Sequence, residues 1–168
     1  PAYSFIPSRA EAALVFEQEI EQEAQADGML ERWQEVMAES GALLDASILA
    51  ESAGERATIA EFRHALPQMI NEFLRHHRQI KVSSDIAVPE EFFAQMYAFY
   101  RQIGDASGID YVNFGHAGES HLHFNFLPRT DAEYQRAKAY MNDFCTKAVA
   151  FGGTVSADGG IGKLKKPF

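Results

Sequence analysis

The chain has 168 residues, enough for one compact domain with a hydrophobic core. Its 24 acidic and 15 basic residues give a formal net charge of −9, and so acidic a surface repels the phosphates of nucleic acids. No apolar run approaches the roughly 20 residues of a membrane-spanning helix, and the N-terminus lacks a signal-peptide pattern. Cys145 is the only cysteine, which excludes a disulfide within the chain and fits a reducing compartment. We therefore expect a cytoplasmic protein, either free or peripheral to a membrane.

The N-terminal half contains four candidate elements. Residues 12–20 are apolar and then alternate with polar residues, which predicts a strand. Residues 23–41 place apolar side chains at helical spacing, and residues 42–52 form a second candidate strand. Residues 57–78 have a helical pattern, which Pro67 should kink or split because proline removes a backbone donor and clashes with the preceding turn.

The next part of the chain predicts a helix followed by a hairpin. Residues 80–89 have an extended pattern that ends at a proline, and residues 90–108 form an aromatic-rich amphipathic helix. Residues 109–116 and 121–128 are two strands, and the short glycine-containing segment 117–120 between them predicts a β-hairpin.

The C-terminal part has the clearest helix of the chain, residues 130–153. Thr130 is the predicted N-cap and Glu133 completes a capping box. Residues 154–168 form a short strand and then a glycine-rich, basic end. The alternation of strands and helices predicts one α+β domain over residues 1–168, a sandwich with helices packed on one face of a mainly antiparallel sheet.

Three histidines of the predicted hairpin should converge. Side chains two positions apart in a strand share a face, so His121, His123 and Asn125 point the same way. If residues 117–120 form a simple connection, His116 pairs with His121 and joins that face. Three imidazoles could then hold an ion such as zinc, with further ligands from elsewhere. The alternative is that these are hydrogen-bonded histidines of a core or a turn.

The glycine-rich segment 156–163, SADGGIGK, is typical of a loop that approaches a ligand closely. Asp158 supplies a carboxylate, Lys163 a cation, and successive backbone donors could cradle an anion. The spacing is not that of a phosphate-binding P-loop, and the chain has no GxGxxG dinucleotide motif. The alternative is a flexible tail after the last strand.

Together these segments resemble the C-terminal domain of FAD-linked oxidases, the flavoenzymes that oxidise D-lactate, glycolate and D-2-hydroxyglutarate. Residues 115–125, GHAGESHLHFN, are similar to the family stretch GHxGDxxLHxN. Residues 152–162, GGTVSADGGIG, are similar to GGxxSxEHGIG. Residues 62–72, FRHALPQMINE, and 84–93, SDIAVPEEFF, also resemble family segments. The similarity covers most of the chain after the first third.

The resemblance implies a ferredoxin-like sandwich with helices over one face of the sheet. It also implies that this sandwich is the substrate- and metal-binding domain of a FAD-dependent oxidoreductase that converts a D-2-hydroxy acid to the 2-oxo acid. It also implies that FAD is bound mainly by a separate domain upstream in the same protein. We therefore expect this chain to be a fragment of a longer protein, inactive when isolated. The alternative is a non-catalytic ferredoxin-like binding module with a structural metal or none, and no residue pattern favours a third possibility, metal-dependent hydrolysis.

The resemblance also implies a set of metal ligands. His116 and His123 match the metal-ligand histidines, and the ion would be zinc or manganese. Asp158 stands where the family has a glutamate ligand, so its carboxylate is one methylene shorter. The family's catalytic histidine follows that glutamate, and this chain has Gly159 there. Three alternatives stay open: His121 takes the role of the base, the chemistry is impaired, or the loop is altered.

The resemblance assigns the remaining roles to substrate and flavin binding. Arg63 matches a substrate-carboxylate clamp, which suits a bidentate guanidinium. Asn125 matches a polar residue beside the flavin or the substrate. Gly160 and Gly162 belong to the loop that would close near the flavin ring.

Overall fold

The structure is a computed structural model, which describes residues 6–160. The chain divides into two compact units, with the boundary between Met69 and Ile70. Within residues 6–160, no helix combines the length and the apolar character needed to cross a membrane.

The first unit contains mostly helical elements. A 3-10 turn, Glu23–Gln25, leads into α1, Ala26–Glu39, and a second 3-10 turn covers Leu44–Ala46. Helix α2, Ala53–His76, begins in this unit and runs into the second. It continues through Pro67, so of the two predicted effects, a kink or a split, the split is wrong. One missing donor removes one bond of the helix, while the bonds of the neighbouring turns remain.

The two strands predicted in the first unit are wrong. Residues 12–20 form no regular element, and residues 42–52 contain only a 3-10 turn. Phe16 of the first segment contacts α1 instead, where its ring stacks on Trp33 with ring centroids 4.1 Å apart. Gln18 accepts a hydrogen bond of 2.7 Å from the Trp33 indole. An apolar pattern alone does not form a strand when no neighbouring strand completes its ladder.

The second unit contains an antiparallel sheet and two further helices. Strand β4 pairs with β1 and β2 on one side and with β3 on the other, and an isolated bridge joins Ala87 to Thr154. If β1 and β2 are counted as one strand and the bridge at Thr154 as the last, the order along the chain is βαββαβ. This order is ferredoxin-like, and the predicted α+β fold class is confirmed. The elements are β1 Val82–Ser83, β2 Ile86–Ala87, α3 Phe93–Ser107, β3 Tyr111–His116, β4 His121–Phe126 and α4 Asp131–Ala150.

Strands β1 and β2 are two parts of one interrupted strand. Both pair with β4 in the same register: Val82 pairs with Phe126, and Ile86, four residues later, pairs with Leu122, four residues earlier. Ser84 and Asp85 form the interruption. The Ser84 N–H donates to the Phe124 carbonyl at 2.8 Å, while the Phe124 N–H donates to the Ser84 hydroxyl at 2.8 Å. The side-chain hydroxyl therefore takes the place of a ladder carbonyl at this point.

The main core lies on one face of the sheet, under α3 and α4. Phe124 and Phe126 of β4 are fully buried there. The Phe124 ring lies 5.3 Å from Tyr100 of α3 and 5.1 Å from Phe144 of α4, centroid to centroid. Each such aromatic contributes about 1.5–3 kcal/mol by burial. Since successive side chains of a strand alternate, this packing directs the odd-numbered residues of β4 to the opposite face.

The N-terminus of α4 confirms the predicted capping. The Thr130 side chain accepts a hydrogen bond of 3.2 Å from the Glu133 N–H. The Glu133 carboxylate reaches back to the N–H of Arg129, one residue before the cap, at 2.6 Å. These bonds satisfy donors that the first helical turn leaves without an internal partner.

Candidate functional site

The imidazoles of the hairpin converge on the sheet face opposite the helices. His116 pairs directly with His121 in the ladder, as strand parity predicts. The centroids of His121 and His123 lie 4.5 Å apart, and those of His116 and His121 lie 5.6 Å apart. The structure therefore brings three histidines of one short segment together.

The close pairing at this end of the hairpin depends on Gly115. Its φ is +154°, and a Cβ placed on it would lie 2.5 Å from the His121 carbonyl oxygen. A 3-10 turn, Ala117–Glu119, follows β3, and Ser120 completes the connection with a φ of +51°. The sequence between the strands thus sets the register on which the histidine cluster depends.

Asp158 joins the histidines from the glycine-rich loop. Its Oδ2 lies 3.5 Å from Nε2 of His123, and one ligand atom from each of the four residues lies within 4.8 Å of every other. Two ligands of a tetrahedral zinc ion, with bonds of about 2.1 Å, are about 3.4 Å apart. The donor set therefore fits a divalent ion after modest contraction of the side chains.

The cluster is buried at one end and open at the other. His121 is only 4% exposed, whereas His116 is exposed and the Asp158 side chain is 58% exposed. Small ions and solutes can therefore reach the donor atoms from solvent.

Asp85, which the sequence interpretation missed, contacts both sides of this cluster. Its Oδ1 accepts a hydrogen bond of 3.0 Å from Nε2 of His121, and its Oδ2 accepts one of 2.8 Å from the Gly159 N–H. The Asp158 N–H donates to Oδ1 at 3.3 Å, and the Ala157 N–H donates to the Asp85 carbonyl at 3.0 Å. Asp85 therefore links the interrupted strand formed by β1 and β2 to the glycine-rich loop.

A signal for Asp85 was present in the sequence. It is a single acidic residue within IKVSSDIAVP, between the buried Val82 and Ile86. A carboxylate in such a segment is buried, and buried carboxylates need partners.

The other predicted site residues differ in how the structure presents them. Asn125 is fully buried and its Nδ2 donates to the His123 carbonyl at 2.8 Å, while its Oδ1 has no hydrogen-bond partner within residues 6–160. Arg63 lies on α2 in the first unit, with an exposed side chain. Gly160 is exposed, and a Cβ on it would have no atom within 4 Å. Gly162 lies outside the described residues.

Gly159 stands close to Asp85. A Cβ at this position would lie 2.9 Å from the Asp85 Oδ2. A histidine here, as in the family stretch, would therefore require the buried carboxylate to move. In this chain the absence of a side chain at Gly159 lets its backbone N–H donate directly to the Asp85 carboxylate.

A ferredoxin-like sheet with a histidine face and an acidic loop is the arrangement expected of a flavoenzyme substrate domain. The chain matches the family described as FAD linked oxidases, C-terminal domain, over residues 2–168, and it belongs to that family.

Three curated relatives are larger proteins of which this chain matches only a part. The chain is 29% identical to glycolate oxidase subunit GlcD of Bacillus subtilis (strain 168), over 52% of its own length and 19% of the relative's. It is 28% identical to D-2-hydroxyglutarate dehydrogenase of Xanthomonas citri pv. viticola, over 72% of its length and 26% of the relative's. It is 25% identical to D-lactate dehydrogenase of Anaerostipes hadrus, over 87% of its own length and 30% of the relative's. The chain spans less than a third of the length of these relatives.

Proposed function

We propose that this chain is the substrate- and metal-binding domain of a FAD-dependent oxidoreductase that oxidises a D-2-hydroxy acid to the 2-oxo acid. FAD would be bound mainly by another domain, upstream in the same protein. Family membership supports the flavin part of the proposal. The names of two relatives, D-2-hydroxyglutarate dehydrogenase and D-lactate dehydrogenase, support the substrate class. We expect the protein to act in the cytoplasm.

The observation that carries the proposal is the cluster of four donor atoms within 4.8 Å of one another. His116, His123 and Asp158 would hold one divalent ion, zinc or manganese, because imidazole and carboxylate ligands suit both. When bound, such an ion supplies Lewis-acid polarisation of a substrate hydroxyl or carboxylate. The exposed side of the cluster leaves room for a substrate oxygen beside the ligands.

The remaining residues would orient the substrate and move its proton. His121 would accept the hydroxyl proton, because a neutral imidazole is a suitable base near neutral pH and Gly159 has no side chain for the task. Arg63 would hold the substrate carboxylate with its guanidinium. The amide oxygen of Asn125, buried and without a partner within residues 6–160, would accept a hydrogen bond from the substrate or the flavin. FAD, when bound, supplies the acceptor for the hydride from C2.

The proposal is tested by rapid-mixing measurements of flavin reduction in the flavoprotein that contains this domain. D-2-hydroxy acids should reduce the flavin faster than their L enantiomers, and removal of metal with a chelator should slow reduction at least about 100-fold. His123→Ala should have the same effect, whereas His76→Ala, which removes an exposed imidazole from the end of α2, should not.

One result would contradict the proposal, and another would invalidate the assay. If neither the chelator nor His123→Ala changed the rate of flavin reduction, the histidine cluster would have no part in catalysis. A full loss of activity in His76→Ala would show that the assay reports folding rather than the site.

A further inference from the structure

We propose that Asp85 is the positioning residue of this site, whose carboxylate sets the tautomer of His121 and holds the loop that carries Asp158. The link to metal affinity rests on the proposed function. The tautomer and the loop contact do not depend on a metal, so they can be tested separately.

The Asp85 carboxylate determines which ring nitrogen of His121 carries the proton. A neutral imidazole carries one ring proton, and an ionised carboxylate can only accept hydrogen bonds. Nε2 of His121 lies 3.0 Å from the Asp85 Oδ1, and both side chains are at most 10% exposed. The proton must therefore sit on Nε2, which leaves the lone pair of Nδ1 available for a cation or for a substrate proton. Carboxylates play this part behind many metal-site histidines.

His123 is oriented by Ser84, the residue next to Asp85 in the chain. Its Nδ1 lies 3.4 Å from the Ser84 carbonyl, an acceptor that favours the proton on that nitrogen. Nε2 then presents a lone pair to the Asp158 carboxylate at 3.5 Å. Two acceptors at this distance repel each other unless a proton or a cation lies between them. The interruption between β1 and β2 thus contacts both imidazoles, that of His121 through the Asp85 carboxylate and that of His123 through the Ser84 carbonyl.

Asp85 also holds the glycine-rich loop that carries Asp158. Asp85 accepts the N–H groups of Gly159 and Asp158 through its side chain and that of Ala157 through its backbone. The Asp158 side chain itself is 58% exposed, so its own burial does little to fix it. Among the described residues, these three hydrogen bonds hold the loop that places its carboxylate near His123.

Both contacts of Asp85, with His121 and with the loop, require a carboxylate at this position. An asparagine at this position has one acceptor oxygen in place of two, although His121 and Gly159 both donate. If its oxygen faces Gly159, its NH₂ group faces Nε2 of His121 and moves the imidazole proton to Nδ1. If its oxygen faces His121, the side-chain NH₂ group meets the Gly159 N–H, and the hydrogen bond from Gly159 is lost. Asp85→Asn therefore cannot preserve both functions.

The test uses the 168-residue chain with Asp85→Asn. Multiple-bond ¹⁵N–¹H NMR at alkaline pH, where neutral imidazoles predominate, should show His121 protonated on Nε2 in the wild type. In the variant, either this proton moves to Nδ1 or the Gly159 amide loses protection from hydrogen exchange. Titration with Zn²⁺ should show affinity lowered by about 10–100-fold. Asp143→Asn, which neutralises an exposed carboxylate on α4, should change none of these readouts.

The outcomes separate this proposal from the proposed function. A wild-type His121 protonated on Nδ1 would overturn the role of Asp85, even if the variant failed to fold. So would a variant with unchanged tautomer and Gly159 protection. Wild-type protein that bound no Zn²⁺ would contradict the proposed metal site, while the NMR result would still decide the role of Asp85. If the wild type binds Zn²⁺ and Asp85→Asn binds it equally well, the positioning role is refuted.

Discussion

Replacing Gly115 with alanine should damage the hairpin and the histidine cluster together. The new Cβ would start 2.5 Å from the His121 carbonyl oxygen and 2.9 Å from the Leu122 Cα, so the strands would have to separate by about 0.9 Å to reach ordinary contact. The backbone φ of +154° is also strained for any L-residue, at a cost of about 1–3 kcal/mol. We expect Gly115→Ala to lower the free energy of unfolding by about 2–4 kcal/mol.

The matched control lies three residues along the same hairpin. A Cβ added to Gly118 would have no atom within 4 Å, so Gly118→Ala should change the free energy of unfolding by at most about 0.5 kcal/mol. Urea unfolding should be followed by circular dichroism together with amide exchange of β4, because Trp33 lies in the first unit and its fluorescence reports that unit. A Gly115→Ala variant within about 0.5 kcal/mol of the wild type would refute this reasoning.

Three further predictions concern the second unit. Ser84→Ala should lower the free energy of unfolding in urea by about 1–3 kcal/mol, because it leaves the buried Phe124 N–H without its side-chain acceptor. An unchanged urea midpoint would contradict this role of Ser84. Burial raises the pKa of Tyr100 above the ordinary tyrosine value, so the folded state keeps the phenol proton at pH values where the unfolded state loses it. The free energy of unfolding should therefore fall above about pH 10, by up to about 1.4 kcal/mol per pH unit. Tyr100→Phe should make that alkaline decline shallower, and an equally steep decline would disprove the assignment. Thr130→Ala should lower stability by about 1 kcal/mol through loss of the α4 cap, with Thr146→Ala on the exposed side of the same helix as the comparison; equal effects would count against the cap.

Local patterns predicted the second unit well. The parity of HLHFNF separates His121 and His123 from Phe124 and Phe126, and the core then fixes which set faces the helices. The capping residue at Thr130 marked the start of α4, because capping is a local hydrogen bond. Both signals depend only on residues that are close together in the sequence.

Contacts between distant parts of the chain were not predictable in the same way. The partners of Asp85 lie 36 and 74 residues away, and nothing local pairs them. The apolar segment 12–20 failed as a strand for the converse reason: its pattern suits a sheet, but α1 supplies the contacts of Phe16. Tertiary partners decide such cases, and propensity alone does not.

The central claim is that His116, His123 and Asp158 hold one divalent cation. X-ray absorption of the chain after equilibration with Zn²⁺ and dialysis tests it most directly. We expect one ion per chain, with imidazole nitrogens and a carboxylate oxygen at about 2.0–2.2 Å. An ion lost on dialysis, or one surrounded by water oxygens alone, would contradict the claim.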